Sequence, residues 1–145
     1  MIPNSFRGLD FDLGETADML RETVRAWSDD RLAPRAAEID RSNTFPRELW
    51  PELGDLGLLG VTVEEEYGGA GMNITQYART IHALSYAAPA FRSLISINIG
   101  MVCSALKNGG TDAQKAEWLP RLAAGEIACF GLTEPGSGSD SAGMQ

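Results

Sequence analysis

The sequence predicts a mostly α-helical domain over residues 1–125, followed at 126–145 by the first strand and loop of a second unit. Three observations carry this. Apolar residues recur at three- and four-residue spacing through most of the chain, the period of an α-helix. No internal repeat, linker or low-complexity tract interrupts that pattern. The run "IACFGLT" at 127–133 then departs from it, being short, apolar and followed by turn formers, which suits a strand. The handover falls near Gly125-Glu126.

The elements follow in order. In "DLGETADMLRETVRAWSDDRLAPRAAEID", Ala17, Leu20, Val24 and Trp27 form one apolar stripe. Asp12 followed by Glu15 reads as a capping box at its start. Pro34 removes a backbone donor and clashes with the preceding turn, so it kinks this element or restarts it. "TFPRELWPELGDLGLLG" opens at Pro46, places Leu49, Leu53 and Leu56 on one face, and closes at Gly57 and Gly60. "EEEYGGAGMN" is a loop that turns at Gly68 and Gly69. Two helices, "ITQYARTIHALSYA" and "FRSLISINIGMVCSALKN", are split by Pro89. The second is apolar nearly all round and is expected to be the most buried. Gly109-Gly110 ends it, and Thr111 with Gln114 boxes the start of the next helix.

Composition excludes several classes of function. The 145 residues carry a formal net charge of −8, 43% apolar residues and 22% charged residues. An acidic balance disfavours nucleic acid and anionic membranes, which reward clustered Lys and Arg. No apolar stretch is expected to span a membrane. The start, "MIPNSFRGLDFDLGE", lacks the features of a secretion signal or a transit peptide. Cys103 and Cys129 are far apart, which suggests neither a zinc site nor a disulfide framework. The expected setting is reducing and cytoplasmic.

The loop "TEPGSGSD" is the richest candidate for chemistry. Its glycines let backbone N–H groups approach a ligand, and Thr133, Ser137 and Ser139 add hydroxyls. It is not a dinucleotide fingerprint, since Ser141 stands where a third glycine belongs, and no lysine follows to make a P-loop. The bland alternative is a polar turn. Arg92 and Ser96 lie one helical turn apart in an apolar segment and share a face. Such an arginine needs an anion, from a protein carboxylate or from a ligand, and the bland alternatives are a structural ion pair or a side chain that snorkels to solvent. His82, the only histidine, reads as structural. Glu64, Glu65 and Glu66 read as a solvated loop edge, and Glu134 as exposed or capping. No nucleophile–base pair emerges.

Three segments together resemble the N-terminal part of an acyl-CoA dehydrogenase. They are "LAPRAAEIDRSNTFPRELWPELGDLGLLGVTVEEEYGGAGM", "GTDAQKAEWLPRLAAGE" and, most specifically, "CFGLTEPGSGSD", which is similar to the family's flavin-site signature. The resemblance implies an N-terminal helical domain and the truncated start of a middle β-domain. It also implies FAD as cofactor, an acyl-CoA substrate, an electron-transfer flavoprotein as partner, and a homotetramer for the full-length protein. By the family's pattern Phe130, Leu132 and Thr133 would border the flavin, with Gly138 and Ser139 near the flavin and the acyl-CoA. The catalytic base would lie outside this chain. "AEIDRSNTFPRELWPELG" resembles isovaleryl-CoA dehydrogenases. "FRSLISINIGMV" resembles glutaryl-CoA dehydrogenases, where the matching arginine and serine, here Arg92 and Ser96, bind a distal carboxylate. The alternative is a truncated, non-catalytic module that binds acyl-CoA or pairs with another subunit.

Overall fold

The computed structural model describes residues 12–145; the reading of the first residues as free of a leader lies outside them. The described part is helical. Helix α1 (Glu15–Trp27) runs through a wide π segment at Ser28–Leu32 and a 3-10 turn at Ala33–Arg35 into α2 (Ala36–Ser42). Pro34 sits in that 3-10 turn, so the expected restart occurs there. A 3-10 turn at Arg47–Leu49 leads into α3 (Trp50–Asp55). Then come α4 (Ile74–Ser85), α5 (Pro89–Ile95), a second π segment (Ser96–Cys103), α6 (Ser104–Gly109) and α7 (Asp112–Ala123).

Helix α1 packs on α4, and α4 on α5. Their facing stripes bury Val24, Leu84, Phe91, Ile95 and Ile99 with Leu53 of α3. Phe91 lies at the centre, 4.7 Å from the Phe45 ring and 6.5 Å from Trp27 between centroids. A smaller core joins Val63, Cys103, Leu119 and Leu122. Burial pushes the Cys103 thiol up to about 11.

The cap of α1 differs from the sequence expectation. The helix starts at Glu15, which makes Gly14 the cap position, and Asp12 lies too far out to serve. Gly14 has φ 87°, and its carbonyl accepts from Ala17 and Asp18 N–H at 3.1 and 3.2 Å. The box at Thr111 and Gln114 forms as read. A second one, Asn73 with Gln76, opens α4.

The 60–72 loop is knitted by its own backbone. Ala70, Met72 and Gly71 N–H donate to the carbonyls of Gly60, Val61 and Val63 at 3.0, 2.8 and 2.8 Å. Glu64 is not a solvated edge. Its Oε1 lies 2.9 Å from Lys107 Nζ, which also donates to the Thr62 carbonyl at 2.5 Å. Burial raises the Glu64 carboxyl, but the hydrogen bond from Lys107, a backbone hydrogen bond and the nearby lysine charges together leave the group below its ordinary value. Glu65 and Glu66 are exposed, as expected.

Two further expectations are corrected. The 21-residue helical run Pro89–Gly109 buries Phe91, Ile95, Asn98, Ile99 and Cys103, while Met101 on it is exposed. By length and composition, at a mean hydropathy of 1.3, this run also reaches that of a membrane-crossing helix, contrary to the sequence reading. In this fold one face of it is the core, and Lys107 near its end is tied to the 60–72 loop. The segment 127–133 is neither helix nor paired strand. A strand exists by pairing its backbone groups with a neighbour, and among the described residues the segment has no neighbouring strand. Only Glu134 and Ser137 pair, across the Pro135-Gly136 turn.

Glu52 fastens α3 to the α1–α2 arm. It accepts from Arg31 at 2.6 and 3.0 Å and from the Trp27 indole at 2.9 Å. The hydrogen bond from Arg31, then that from Trp27, hold its carboxyl down at about 2. Because the folded value lies below that of the unfolded chain, this stabilisation is complete above the unfolded value and is lost as pH falls through about 2. Urea midpoints of wild type and Glu52→Gln should therefore differ at pH 7 and converge as pH falls below ~4.5. A gap unchanged down to pH ~2 would refute the role of this carboxylate as the fastener.

Candidate functional site

Arg92 and Ser96 lie on one face of the Pro89–Gly109 run, both half-buried. Ser96 N–H donates to the Arg92 carbonyl, so the two keep α-helical spacing although the π segment starts at Ser96. Wide π turns often accompany functional positions. Among the described residues the Arg92 guanidinium has no carboxylate within ion-pair range and no hydrogen-bond acceptor. The structural ion pair weighed from sequence is thus not formed among the described residues. Ser96 Oγ accepts from the Tyr77 hydroxyl of α4 at 3.2 Å.

Asn98 and Ile99, further along the same run, are both buried. Ile99 belongs to the core. Asn98 is 1% exposed, and its Oδ1 accepts the Ala128 N–H at 3.0 Å while its Nδ2 has no partner among the described residues. This bond docks the 127–133 segment on the helix that carries Arg92. Trp50 fixes the same segment just upstream, its indole donating to the Gly125 carbonyl at 2.8 Å.

Beyond Ala128 the segment offers an apolar edge and then a polar loop. Phe130 and Leu132 are 41% and 39% exposed, and Thr133, Gly138 and Ser139 are exposed beside them. A Cβ at Gly131, Gly136 or Gly138 would meet nothing within 4 Å, so the backbone there lies open to a ligand. Ser137 is turned inward, donating to the Asp140 carbonyl, and so shapes the loop. Glu134 Oε2 accepts the Gln145 N–H at 3.3 Å, which makes it a local tie. Among the described residues no hydrogen bond links this loop to Arg92 or Ser96. His82 is exposed, edge-on to the Tyr86 ring at 5.0 Å, and belongs to neither group. An open cleft of about 340 Å³ lies between Val102, Leu106, Trp118, Leu122 and Ile127.

An exposed aromatic and aliphatic edge followed by uncharged hydroxyl donors and open glycines fits one side of a neutral, planar heterocycle. The residues 14–126 match the family model described as acyl-CoA dehydrogenase, N-terminal domain. The chain belongs to this family. It is 38% identical over 136 residues to the mitochondrial isovaleryl-CoA dehydrogenase of Pongo abelii, covering 92% of this chain and 32% of that one. It is 35% identical over 138 residues to the short-chain specific acyl-CoA dehydrogenase of Clostridium acetobutylicum, covering 94% and 36%. Among solved structures it is similar to a glutaryl-CoA dehydrogenase from Mycobacterium smegmatis in complex with FADH2, with 41% identity, a TM-score of 0.85, and coverage of 94% and 36%. The chain therefore spans about a third of the length of the acyl-CoA dehydrogenases it matches.

For this acyl-CoA dehydrogenase domain, sequence reasoning located the arginine–serine pair and the glycine loop but missed Tyr77. The signal was present. Asn73-x-x-Gln76 is a capping box, and reading it fixes Tyr77 in the first turn of α4. That α4 would face Ser96 is a matter of packing between helices and is not written in either segment alone.

Proposed function

We propose that this chain is the N-terminal portion of an FAD-dependent dehydrogenase that desaturates a short acyl-CoA carrying a distal carboxylate, of which glutaryl-CoA is the type. The observation that carries the reading is Arg92: a half-buried guanidinium without a protein anion among the described residues, sharing a helix face with Ser96. A planar fork of donors suits a carboxylate bidentately, and a cation held off water gains from such a ligand. The 41% identity to a glutaryl-CoA dehydrogenase supports the choice, and the 38% identity to an isovaleryl-CoA dehydrogenase names the competitor.

In this reading residues 1–125 are the helical domain and 126–145 the start of the middle β-domain. The reaction takes a proton from the α-carbon and a hydride from the β-carbon of the thioester, leaving a carbon–carbon double bond. The flavin, when bound, supplies the oxidising capacity. Phe130, Leu132 and Thr133 border it, and Gly138 and Ser139 lie where cofactor and acyl-CoA meet. Arg92 and Ser96 orient the acyl chain from its far end, which is positioning rather than proton transfer. The base comes from outside this chain. An electron-transfer flavoprotein and a homotetrameric assembly complete the proposal.

Anaerobic mixing of the flavin-loaded full-length protein with glutaryl-CoA, butyryl-CoA and isovaleryl-CoA tests it. Glutaryl-CoA should bleach the flavin band with the highest kcat/KM. In Arg92→Gln the ratio of glutaryl to butyryl kcat/KM should fall about 100-fold. Preferential bleaching by isovaleryl-CoA would move the protein to that branch. Bleaching by none would favour the non-catalytic module.

A further inference from the structure

Tyr77 has no part in the roles assigned to Arg92 and Ser96, and among the described residues its hydroxyl makes one side-chain hydrogen bond, to Ser96. The hydroxyls around it show why that contact matters. Thr80 and Ser85 of α4 and Ser93 of α5 each donate to the carbonyl four residues back, at 3.0, 2.7 and 3.2 Å. This is the ordinary resting place of a helical hydroxyl proton. Ser96 departs from it. Its oxygen receives the Tyr77 proton at 3.2 Å, and its own proton has no acceptor among the described residues. A hydroxyl has one proton to give and two lone pairs. With one lone pair taken by tyrosine, the serine proton is left to swing toward an acceptor on the Arg92 side.

The tyrosine is held where it can do this. Asn73 Oδ1 accepts from Thr75 and Gln76 N–H at 2.9 and 3.0 Å, which fixes the first turn of α4. Its ring is half-buried and packs against the main core. On the opposite helix, one turn beyond Ser96, Gly100 presents no side chain; a Cβ there would already stand 3.4 Å from the Tyr77 oxygen. The phenol therefore enters between Ser96 and Gly100 with little room to move.

We infer that Tyr77 is a positioning residue for anion recognition: by donating to Ser96 it turns the serine hydroxyl into a donor that, with Arg92, selects acyl-CoA chains ending in a carboxylate. This rests on the carboxylate reading of Arg92 and adds the group that sets its polarity. An acceptor chain of this kind also strengthens the second bond, because a hydroxyl that accepts becomes a better donor.

The test is equilibrium binding to the flavin-loaded full-length protein, with two redox-inert thioethers of CoA, carboxybutyl and butyl, measured by calorimetry. Wild type should prefer the carboxybutyl ligand. In Tyr77→Phe the preference should fall about tenfold, the loss of one hydrogen bond to a charged group. In a Ser96→Ala background the same replacement should change the preference by less than about twofold, since nothing remains for it to orient. If Tyr77→Phe weakens both ligands equally, or acts as strongly without Ser96, the tyrosine is merely structural and the inference fails. In that case a lost preference in Arg92→Gln leaves the carboxylate reading standing. An unchanged preference in Arg92→Gln overturns that reading and this inference with it.

Discussion

Phe91→Ala is expected to lower the unfolding free energy by about 4 kcal/mol. The ring is fully buried, and it is the residue at which three parts of the chain meet: Trp27 from α1, Phe45 from the stretch between α2 and the 3-10 turn at Arg47–Leu49, and α5 itself. Truncating a buried phenylalanine removes its transfer free energy and leaves a cavity that rigid helices close only in part, at about 3–5 kcal/mol. The tilted contact with Phe45 at 4.7 Å adds a smaller increment of about 1 kcal/mol beyond area. Phe91→Leu retains most of the volume and should cost roughly half as much. Urea unfolding of the three proteins under identical conditions reads the difference. A loss below about 2 kcal/mol for the alanine variant would mean that the three elements do not meet at this ring.

Gly69→Ala should be comparably severe, and for a reason that its neighbour does not share. Gly68 is needed for its backbone angle, φ 81°, with open space where a Cβ would go. Gly69 has an ordinary angle and no space. A Cβ there would stand 2.1 Å from the Val63 carbonyl oxygen and 2.5 Å from its carbon, both backbone atoms. That carbonyl also accepts the Gly71 N–H at 2.8 Å, so relieving the overlap opens the ladder that closes the 60–72 loop. Val63 itself is buried in the smaller core. Overpacking against backbone belongs at the upper end of the usual range, about 3 kcal/mol, whereas a left-handed alanine at position 68 costs about 1 kcal/mol. Unfolding midpoints of the two variants should separate clearly. Equal losses would mean that Gly69 does not press against the Val63 carbonyl.

That contrast shows how far the sequence could be read. The dipeptide Gly68-Gly69 announces a turn, but two chemically identical residues serve different ends, and only the path of the chain tells them apart. Capping boxes are legible because they are local: Thr111 with Gln114 was read, and Asn73 with Gln76 carried the same signal. The cap expected at Asp12 failed because it needs the helix start to within one residue, and the helix opens at Glu15, two positions too late for it. Period fared likewise. A 3.6-residue pattern predicts helix over "FRSLISINIGMVCSALKN" but cannot distinguish a π segment, so neither the exposed side at Met101 nor the inward turn of Asn98 followed. The strand at 127–133 depended on a partner that these residues do not contain. At the site, Arg92 and Ser96 were legible because one helical turn joins them. Tyr77 required a second helix.

The π segment at Ser96–Cys103 also sets an angle. Polar groups occur at both ends of the Pro89–Gly109 run: Arg92 and Ser96 on one turn, and Lys107, which grips the Thr62 carbonyl and Glu64, near the other end. An α-helix advances about 100° per residue, so each residue accommodated between the two ends is a rotation of one end against the other. The wide turns absorb residues without lengthening the helix in proportion. Shortening the segment by a single residue would regularise the helix and turn Lys107 about a quarter circle away from its loop, at ~100°. The irregular stretch is thus the dihedral stop that lets one helix face a polar patch at its beginning and clasp the 60–72 loop at its end.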